Sequence, residues 1–129
     1  MCGIFGYVGN ERDIAPEILN ALRALEYRGY DSWGIAVAAD GGIAIQKDVG
    51  KIASAVADLP PTTRGFGHTR WATHGGVTRM NAHPHLDCTG RVSVIHNGII
   101  ENFRELKSAL EARGHAFHSD TDSEVVAHL

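Results

Sequence analysis

The chain begins with Cys2-Gly-Ile-Phe-Gly-Tyr-Val-Gly9, an apolar run that is rich in aromatic and β-branched residues and bounded by glycine. A run of this length and composition favours a buried strand over a helix. The first strand therefore starts almost at the N-terminus, directly after a cysteine.

Helical and strand-like patterns alternate along the rest of the chain. Apolar residues at helical spacing predict a first helix that Asp13 caps and Gly29 ends, with Pro16 in its first turn. The turn Asp40-Gly-Gly42 predicts a β-hairpin, and the capping box Thr121-Asp-Ser-Glu124 predicts the start of a last helix. The other predicted elements are strands at 33–39, 43–47, 65–69, 91–96 and 115–118 and helices at 52–59 and 100–110. Together they indicate a mixed α+β fold built in layers.

Length, charge and cysteine usage narrow the classes of function. The 129 residues fit one domain. With 12 basic against 15 acidic residues, the formal charge of -3 gives no attraction to nucleic acid or to anionic lipid, so neither is expected as a partner. No apolar run approaches the roughly 18 residues of a membrane-spanning helix, and no signal peptide is apparent, so we expect a cytoplasmic protein. Cys2 and Cys88 are then expected to be reduced thiols.

Cys2 is a candidate nucleophile because of its position. If Met1 is removed, its α-amino group, with an ordinary pKa near 7.7 to 8.0, can act as the base for its own thiol. The alternative is a small buried cysteine at the start of a strand, a common fate for this residue type. Asn97 and the Gly98 backbone N–H are two neutral donors that suit an oxyanion, although Asn-Gly is also a common turn.

A polar group around Arg70 suggests an amino-acid ligand. Arg70 can clamp a carboxylate, and Asp122 can bind an ammonium group, although an aspartate in the first turn of a helix is also stabilising without a ligand. Thr73 and His74 can add hydrogen bonds, and Trp71 can shield the site from water. The pair of opposite charges indicates a zwitterionic substrate.

The histidines offer a competing interpretation as a zinc site. The candidate ligands are His68, His74, His83, His85, His96 and Cys88. Their spacing lacks the paired close ligands of structural zinc sites, which favours histidines that are hydrogen-bonded in a polar loop. His115, His118 and His128 are predicted at surface or edge positions, and no role is assigned to them.

Six blocks in order along the chain resemble the class II glutamine amidotransferases, which use an N-terminal nucleophile. The blocks are Cys2-Gly-Ile-Phe-Gly, Leu25-Glu-Tyr-Arg-Gly-Tyr-Asp-Ser32, His68-Thr-Arg-Trp-Ala-Thr-His-Gly75, Asn81-Ala-His-Pro-His85, His96-Asn-Gly-Ile-Ile-Glu-Asn102 and Asp120-Thr-Asp-Ser-Glu124. The combination of the second and third blocks is similar to the branch of the family that makes aminosugars.

The resemblance implies an activity and a role for each candidate. Cys2 would attack the side-chain amide of L-glutamine, and Asn97 with Gly98 would form the oxyanion hole. Arg70 would bind the substrate carboxylate and Asp122 its amine, in a pocket that Trp71, Thr73 and His74 also line. Arg28 and Tyr30 belong to a family motif near the nucleophile. No metal or cofactor is expected for this reaction.

The resemblance also implies a fold and partners. The fold would be the N-terminal-nucleophile hydrolase type, an αββα four-layer sandwich with antiparallel sheets. Because the chain ends five residues after Glu124, we expect an incomplete copy of that domain. In the branch concerned, a sugar-isomerase domain, absent from this chain, uses the ammonia to convert fructose 6-phosphate to glucosamine 6-phosphate, and the full-length enzyme is expected to be a homo-oligomer. The alternatives are the glutaminase domain of another branch, such as amidophosphoribosyltransferase, and a non-catalytic module that binds glutamine.

One position departs from the family pattern. Trp33 stands where the family more often has a small residue. It leads into an apolar run, so we expect local repacking around its side chain without loss of activity.

Overall fold

The computed structural model describes residues 1–73 and 75–129, and His74 lies outside the described residues. No helix within these residues has the length and the apolar character that a membrane crossing requires. The elements, in chain order, are β1 (Gly3–Val8), α1 (Ala15–Leu25), a 3-10 helix (Glu26–Arg28), β2 (Ser32–Ala39), β3 (Gly42–Val49), β4 (Arg64–Arg70), β5 (His85–Leu86), β6 (Ser93–Val94), α2 (Phe103–Ala112) and α3 (Glu124–His128).

Four strands form the main sheet in the order β1-β4-β2-β3, and every neighbouring pair is antiparallel. In the β1–β4 pair, Gly3 lies opposite Thr69 and Val8 opposite Arg64. The N-terminal end of β1 therefore lies beside the C-terminal end of β4. This pairing is what brings Cys2 next to the polar residues that follow β4.

Helix α1 covers one face of the sheet. Its inward residues Ile18 and Leu22 are fully buried, and they lie over glycines of β4. A Cβ on Gly67 would be 2.7 Å from Leu22 Cδ1, so glycine is needed for the helix to approach this closely. Trp33 belongs to the same core and is only 4% exposed, so the indole is accommodated under α1.

The other face of the sheet carries the second, two-stranded sheet and the remaining helices. A Cβ on Gly34 would collide with the His83 carbonyl and lie 3.1 Å from Pro84 Cδ, so the segment that leads into β5 packs directly on β2. The small sheet pairs β5 with β6 antiparallel, and α3 packs against it while α2 packs against α3. The predicted α+β fold with antiparallel sheets between helices is confirmed, although each strand of the second sheet has only two residues.

The local predictions for the main sheet are confirmed, and the predicted strand at 91–96 is shortened to two residues. The predicted cap of the first helix is wrong. Asp13 lies outside α1 with a φ of 78°, and Ile14 takes the N-cap position without a side-chain hydrogen bond. Gly29 ends the 3-10 helix that continues α1. The predicted helix at 52–59 is also absent, and Ile52, Ala55, Ala57 and Leu59 pack onto the core from a turn and an irregular segment.

The capping box is the third error. Helix α3 begins at Glu124, and its N-cap Ser123 makes no side-chain capping hydrogen bond. The Glu124 carboxylate instead accepts the backbone N–H groups of His118 and Ser119 at 2.8 and 2.7 Å, while the Thr121 hydroxyl pairs with His85 Nε2 at 2.9 Å. The segment 115–118, predicted as a strand, is held by this carboxylate and joins no sheet.

Candidate active site

Cys2 lies half-buried against the backbone of Trp71. The Trp71 N–H donates to Cys2 Sγ at 3.2 Å, and the thiol lies 3.6 Å from the Trp71 carbonyl oxygen as a donor. The next residue is fixed as well, since the Gly3 N–H donates to Thr69 Oγ1 at 3.0 Å. An N–H group aimed at sulfur stabilises negative charge on it, so the contact suits a thiol that reacts as a thiolate.

The segment that follows α1 holds the backbone of Trp71 in place. A Cβ on Gly29 would lie 2.7 Å from the Arg70 carbonyl carbon and 2.8 Å from the Trp71 nitrogen, so only glycine allows this approach. The Asp31 N–H donates to the Arg70 carbonyl at 3.0 Å, and the Asp31 carboxylate accepts the Ala72 N–H at 2.8 Å. The segment from Gly29 to Asp31, called the clamp below, therefore fixes the backbone of Trp71, whose N–H donates to Cys2.

Arg28 and Tyr30 lie behind the nucleophile, the first just before the clamp and the second within it. The Tyr30 ring meets the Trp71 indole edge to face, with 5.5 Å between centroids. Arg28 Nη2 lies 4.0 Å from the Met1 sulfur. Neither side chain lines the cavity that contains Cys2 Sγ. Tyr30 therefore supports Trp71, whereas Arg28 contacts the side chain of Met1.

Asn97 connects the nucleophile to a buried histidine. Its Nδ2 donates to the Cys2 carbonyl oxygen at 3.2 Å, and its Oδ1 accepts a hydrogen bond from His68 Nε2 at 2.8 Å. Burial lowers the pKa of His68 to about 4, with the nearby Arg70 and His96 acting in the same direction against the hydrogen bond to Asn97. His68 is therefore neutral at pH 7, and its one ring proton lies on Nε2. This proton fixes the orientation of the Asn97 amide, so that the NH2 group faces Cys2.

Two opposite charges lie in the same cavity. Arg70 is 4% exposed, and its Nη1 and Nη2 donate to the carbonyls of Gly76 and Gly75 at 3.0 and 3.2 Å. Burial lowers the pKa of the Arg70 guanidinium, whereas Cys2, Asp31 and Asp122 favour its charged form. Asp122 is 5% exposed, and its carboxylate accepts the Ile100 N–H at 2.6 Å. A guanidinium (which cannot be deprotonated in practice) and a carboxylate thus line one small space.

The cavity brings together most of the residues predicted from sequence. Its lining includes Cys2, Asn97, Gly98, Arg70, Trp71, Thr73 and Asp122. The prediction for His74 lies outside the described residues. Sequence reasoning did not assign a pocket role to five further lining residues, which are His68, His83, His96, Thr121 and Ser123. The period of two along a strand could have found the first of them, because His68 and Arg70 lie on the same face of β4.

His68, His83 and His85 form a row of stacked and edge-on rings, and the first two of them line the cavity. The rings of His68 and His83 stack at 4.4 Å between centroids, and His85 meets His83 edge-on at the same distance. Burial lowers the pKa of His85 to about 3 and that of His83 further still. His83 Nδ1 accepts the His96 N–H at 3.3 Å. These rings are neutral hydrogen-bonding groups, in agreement with the simpler interpretation of the sequence.

His118 is exposed, as predicted, but the surface position predicted for His128 is wrong. His128 is 5% exposed, and His115 is half-buried. Within 1–73 and 75–129, the residues whose ligand atoms come close enough to hold a metal ion are Cys88, His115 and His128. This set shares only Cys88 with the zinc ligands considered from the sequence, and it lies apart from the cavity of Cys2.

The chain matches known proteins over its whole length. It is 56% identical to a glutamine--fructose-6-phosphate aminotransferase [isomerizing] of Streptomyces coelicolor, and 57% identical to proteins with the same name from Pyrococcus horikoshii and Thermus thermophilus. Each match covers 100% of this chain and 22% of the relative. The chain therefore spans about a fifth of the length of these relatives.

Solved structures agree with this result. The fold is similar to a glutamine phosphoribosylpyrophosphate amidotransferase from B. subtilis, with a TM-score of 0.76 and 28% identity, and to an allosteric regulatory enzyme of purine biosynthesis, with a TM-score of 0.80 and 31% identity. Both matches cover 100% of this chain and 29% of the solved chain. The family model described as a glutamine amidotransferase domain matches residues 1–129. Since that match leaves no part of the chain outside it, the protein belongs to the glutamine amidotransferase domain family.

Proposed function

We propose that this chain hydrolyses the side-chain amide of L-glutamine to glutamate and ammonia, with Cys2 as the nucleophile. The observation that carries the proposal is the content of one cavity. It holds a thiol, two neutral N–H donors and two side chains of opposite charge. Amide hydrolysis needs the first two, and recognition of an amino acid needs the third.

The first half of the reaction forms a thioester. Once Met1 is removed, the Cys2 amine takes the thiol proton, and Sγ attacks the amide carbon of glutamine. The carbonyl π electrons move to oxygen, where Asn97 Nδ2 and the Gly98 N–H stabilise the negative charge. The C–N bond then breaks as the leaving nitrogen takes the proton from the amine, and ammonia departs.

The second half hydrolyses the thioester. Water attacks the same carbon as the amine accepts its proton. The C–S bond then breaks as the leaving sulfur takes that proton, which releases glutamate and restores the thiol. The His68 contact to Asn97 Oδ1 keeps the amide donor facing the reacting carbon throughout. His68 is therefore a positioning residue, because it acts through Asn97.

Substrate recognition uses the two charges. Arg70 binds the α-carboxylate of glutamine, and Asp122 binds its α-ammonium group. Trp71 and Thr73 form the cavity wall beside them, and we assign a substrate-binding role to His74 from the family motif alone. Because both charged side chains are nearly fully buried, their contacts with the substrate are only weakly screened by water.

The ammonia is consumed elsewhere in the protein at its natural length. This chain covers only 22% of the named relatives at 56 to 57% identity, which carry the name glutamine--fructose-6-phosphate aminotransferase. On that ground we assign the ammonia to a sugar-isomerase domain that converts fructose 6-phosphate to glucosamine 6-phosphate. A reaction at the thiol of Cys2 suits the reducing cytoplasm, and both cysteines are free.

The test is ammonia release from L-glutamine by the protein at its natural length, compared between the wild type and Cys2→Ala. We expect the variant to lose activity by about 10³-fold or more, because removal of a nucleophile leaves only the residual catalysis of the pocket. D-glutamine is the matched control substrate, since it carries the same amide on an inverted α-carbon that the Arg70–Asp122 pair should reject.

Two further measurements separate this proposal from a non-catalytic module. Intact mass of the active protein should show that Met1 is absent, since an acylated amine is not a base. Circular dichroism should show that Cys2→Ala is folded. A folded Cys2→Ala protein that still releases ammonia, or an active protein that retains Met1, would contradict the mechanism. Glutamine binding without any ammonia release would favour the binding module.

A further inference from the structure

A second thiol lies in a cluster of its own, away from the cavity of Cys2. Cys88 Sγ is 3.7 Å from His115 Nδ1, and His115 Nδ1 is 3.3 Å from His128 Nδ1. The three ligand atoms all lie within 4.8 Å of one another. They come from three separate places in the chain, namely the turn after β5, the segment after α2 and the last residue of α3.

These separations match those between the ligands of a tetrahedral zinc ion. With Zn–N of about 2.0–2.1 Å and Zn–S of about 2.3 Å, tetrahedral angles place two nitrogens about 3.3 Å apart and a nitrogen and a sulfur about 3.6 Å apart. The observed 3.3 and 3.7 Å therefore fit two of the three ligand pairs, and the third pair, Cys88 and His128, lies within 4.8 Å. A hydrogen-bonded trio would also bring these atoms close, and the metal titration described below distinguishes it from a metal site.

The other ring nitrogen of His128, Nε2, is placed as it would be in a metal-binding histidine. His128 Nε2 is buried and makes no hydrogen bond among the residues that the structure describes, and it lies 3.6 Å from the Glu124 carboxylate. Glu124 is itself fixed by the N–H groups of His118 and Ser119. The negative charge of this carboxylate favours the tautomer with the proton on Nε2, which leaves on Nδ1 the lone pair that a metal needs.

We propose that Cys88, His115 and His128 bind a divalent ion of the zinc class, with Glu124 as the partner of His128. A thiolate and two imidazoles suit Zn²⁺ or Co²⁺ better than Mg²⁺ or Ca²⁺, which prefer oxygen ligands. Cys88 is exposed, so the fourth position is open to water. Binding displaces the thiol proton to solvent and forms one bond from each ligand atom.

The ion would act as a structural tie. It would join the turn after β5 to α3, and the residues immediately before α3 are Asp122 and Ser123 in the cavity of Cys2. No step of glutamine hydrolysis passes through it. This inference therefore stands independently of the proposed reaction.

The experiment is a metal titration of the protein at its natural length, first stripped with a chelator. With Co²⁺ as the probe, we expect one equivalent to give the intense visible bands of four-coordinate cobalt together with a thiolate charge-transfer band. With Zn²⁺, we expect these bands to be displaced and the midpoint of thermal unfolding to rise. Bands of six-coordinate cobalt only, or no thiolate band, would overturn the proposal.

Two cysteine variants form a matched pair in this titration. Loss of a residue that only hydrogen-bonds to a metal ligand costs about 10- to 100-fold in metal affinity. Loss of a ligand itself, as in Cys88→Ser, should therefore cost about 100-fold or more. The side chain is exposed, so the variant should fold. Cys2→Ala should keep wild-type affinity and the thiolate band. Equal affinity in Cys88→Ser, or a loss in Cys2→Ala instead, would overturn the assignment of the site.

Discussion

Cys2 and Cys88 are the two cysteines of the chain, and both are free thiols in very different surroundings. Cys2 receives a backbone N–H and lies in a cavity with an amide donor and two opposite charges. Cys88 lies beside two imidazole nitrogens and no such donor or charge pair is among its contacts in the described chain. One environment supports a nucleophile, and the other supports a metal ligand.

The chemistry of each thiol is set by the groups that its sulfur lone pairs face. At Cys2, the sulfur accepts a single backbone N–H and can still attack carbon, and the nearby donors can stabilise an oxyanion. At Cys88, the neighbours are lone-pair groups, which can share only a proton or a metal ion. Substitutions at each site and the pH and metal dependence of the protein test this division.

Asn97→Ala should produce the largest effect, on the Cys2 side. Removal of one oxyanion donor lowers kcat by about 10²- to 10³-fold in comparable sites. Asn102→Ala is the matched control, because that amide lies at the N-cap of α2 and makes no capping hydrogen bond. Steady-state ammonia release measures both. If the two variants lost the same activity, Asn97 would have no special role at the oxyanion.

His68 makes stability depend on pH. Its pKa is about 4 when folded against about 6.5 when unfolded, so between these values the unfolded chain binds more protons. The contribution of neutral His68 is complete above pH 6.5 and is lost as the pH falls to 4, by about 3 kcal/mol in the free energy of unfolding.

Denaturant unfolding between pH 7 and 4, with chelator present to remove bound metal, measures this dependence. His68→Gln keeps a donor toward Asn97 but cannot titrate, so its free energy of unfolding should fall less steeply. His83 and His85 remain in both proteins and keep part of the slope, since burial lowers the pKa of each. If the free energy of unfolding depended on pH equally steeply in the two proteins, burial in the folded state would not be what keeps His68 neutral.

Asp122→Asn should raise the KM for glutamine by about 10- to 100-fold, because a hydrogen bond to a charged group contributes about 1.5–3 kcal/mol. Its effect on kcat should be small, since the amine of the substrate is remote from the amide carbon. Asp120→Asn is the matched control, because the same charge is removed two residues away at an exposed side chain. A change in kcat without a change in KM would contradict a binding role.

The smallest effect is a difference in alkylation between the two thiols. Saturating Zn²⁺ should slow the reaction of iodoacetamide with Cys88 several-fold, because the metal-bound sulfur is less nucleophilic than a free thiolate. The rate at Cys2 should not change. Peptide mass spectrometry measures both thiols in one sample, so each serves as the control for the other. Equal protection of both thiols would argue against a site at Cys88.

The main sheet could be predicted because its signals are local. The turn Asp40-Gly-Gly42 joins two strands of matched length, and their register follows from the turn. The ends of helices were less predictable, since distant groups compete for the same side chains. Glu124 accepts N–H groups from the preceding loop, and the Thr121 hydroxyl pairs with His85, so neither is available for the cap that the sequence suggested.

In the candidate site too, residues with a local chemical signal could be predicted, and residues that depend on distant contacts could not. Cys2, Asn97, Arg70 and Asp122 could be chosen from their chemistry and from the family motifs, and the structure brings them into one cavity. The role of Gly29 could not be predicted without the fold. A Cβ at this position would collide with the backbone of Arg70 and Trp71, about 40 residues away along the chain. Pairings of this kind depend on the sheet order and not on any local pattern.

The two tryptophans occupy positions that make them separate optical reporters. Trp33 is 4% exposed in the core under α1, whereas Trp71 is 44% exposed at the wall of the cavity, edge-on to Tyr30. Emission from the first should shift when the core opens, and emission from the second should change when a ligand fills the cavity. Folding and occupancy can therefore be followed by intrinsic fluorescence in one cuvette, with Trp33→Phe and Trp71→Phe separating the two signals.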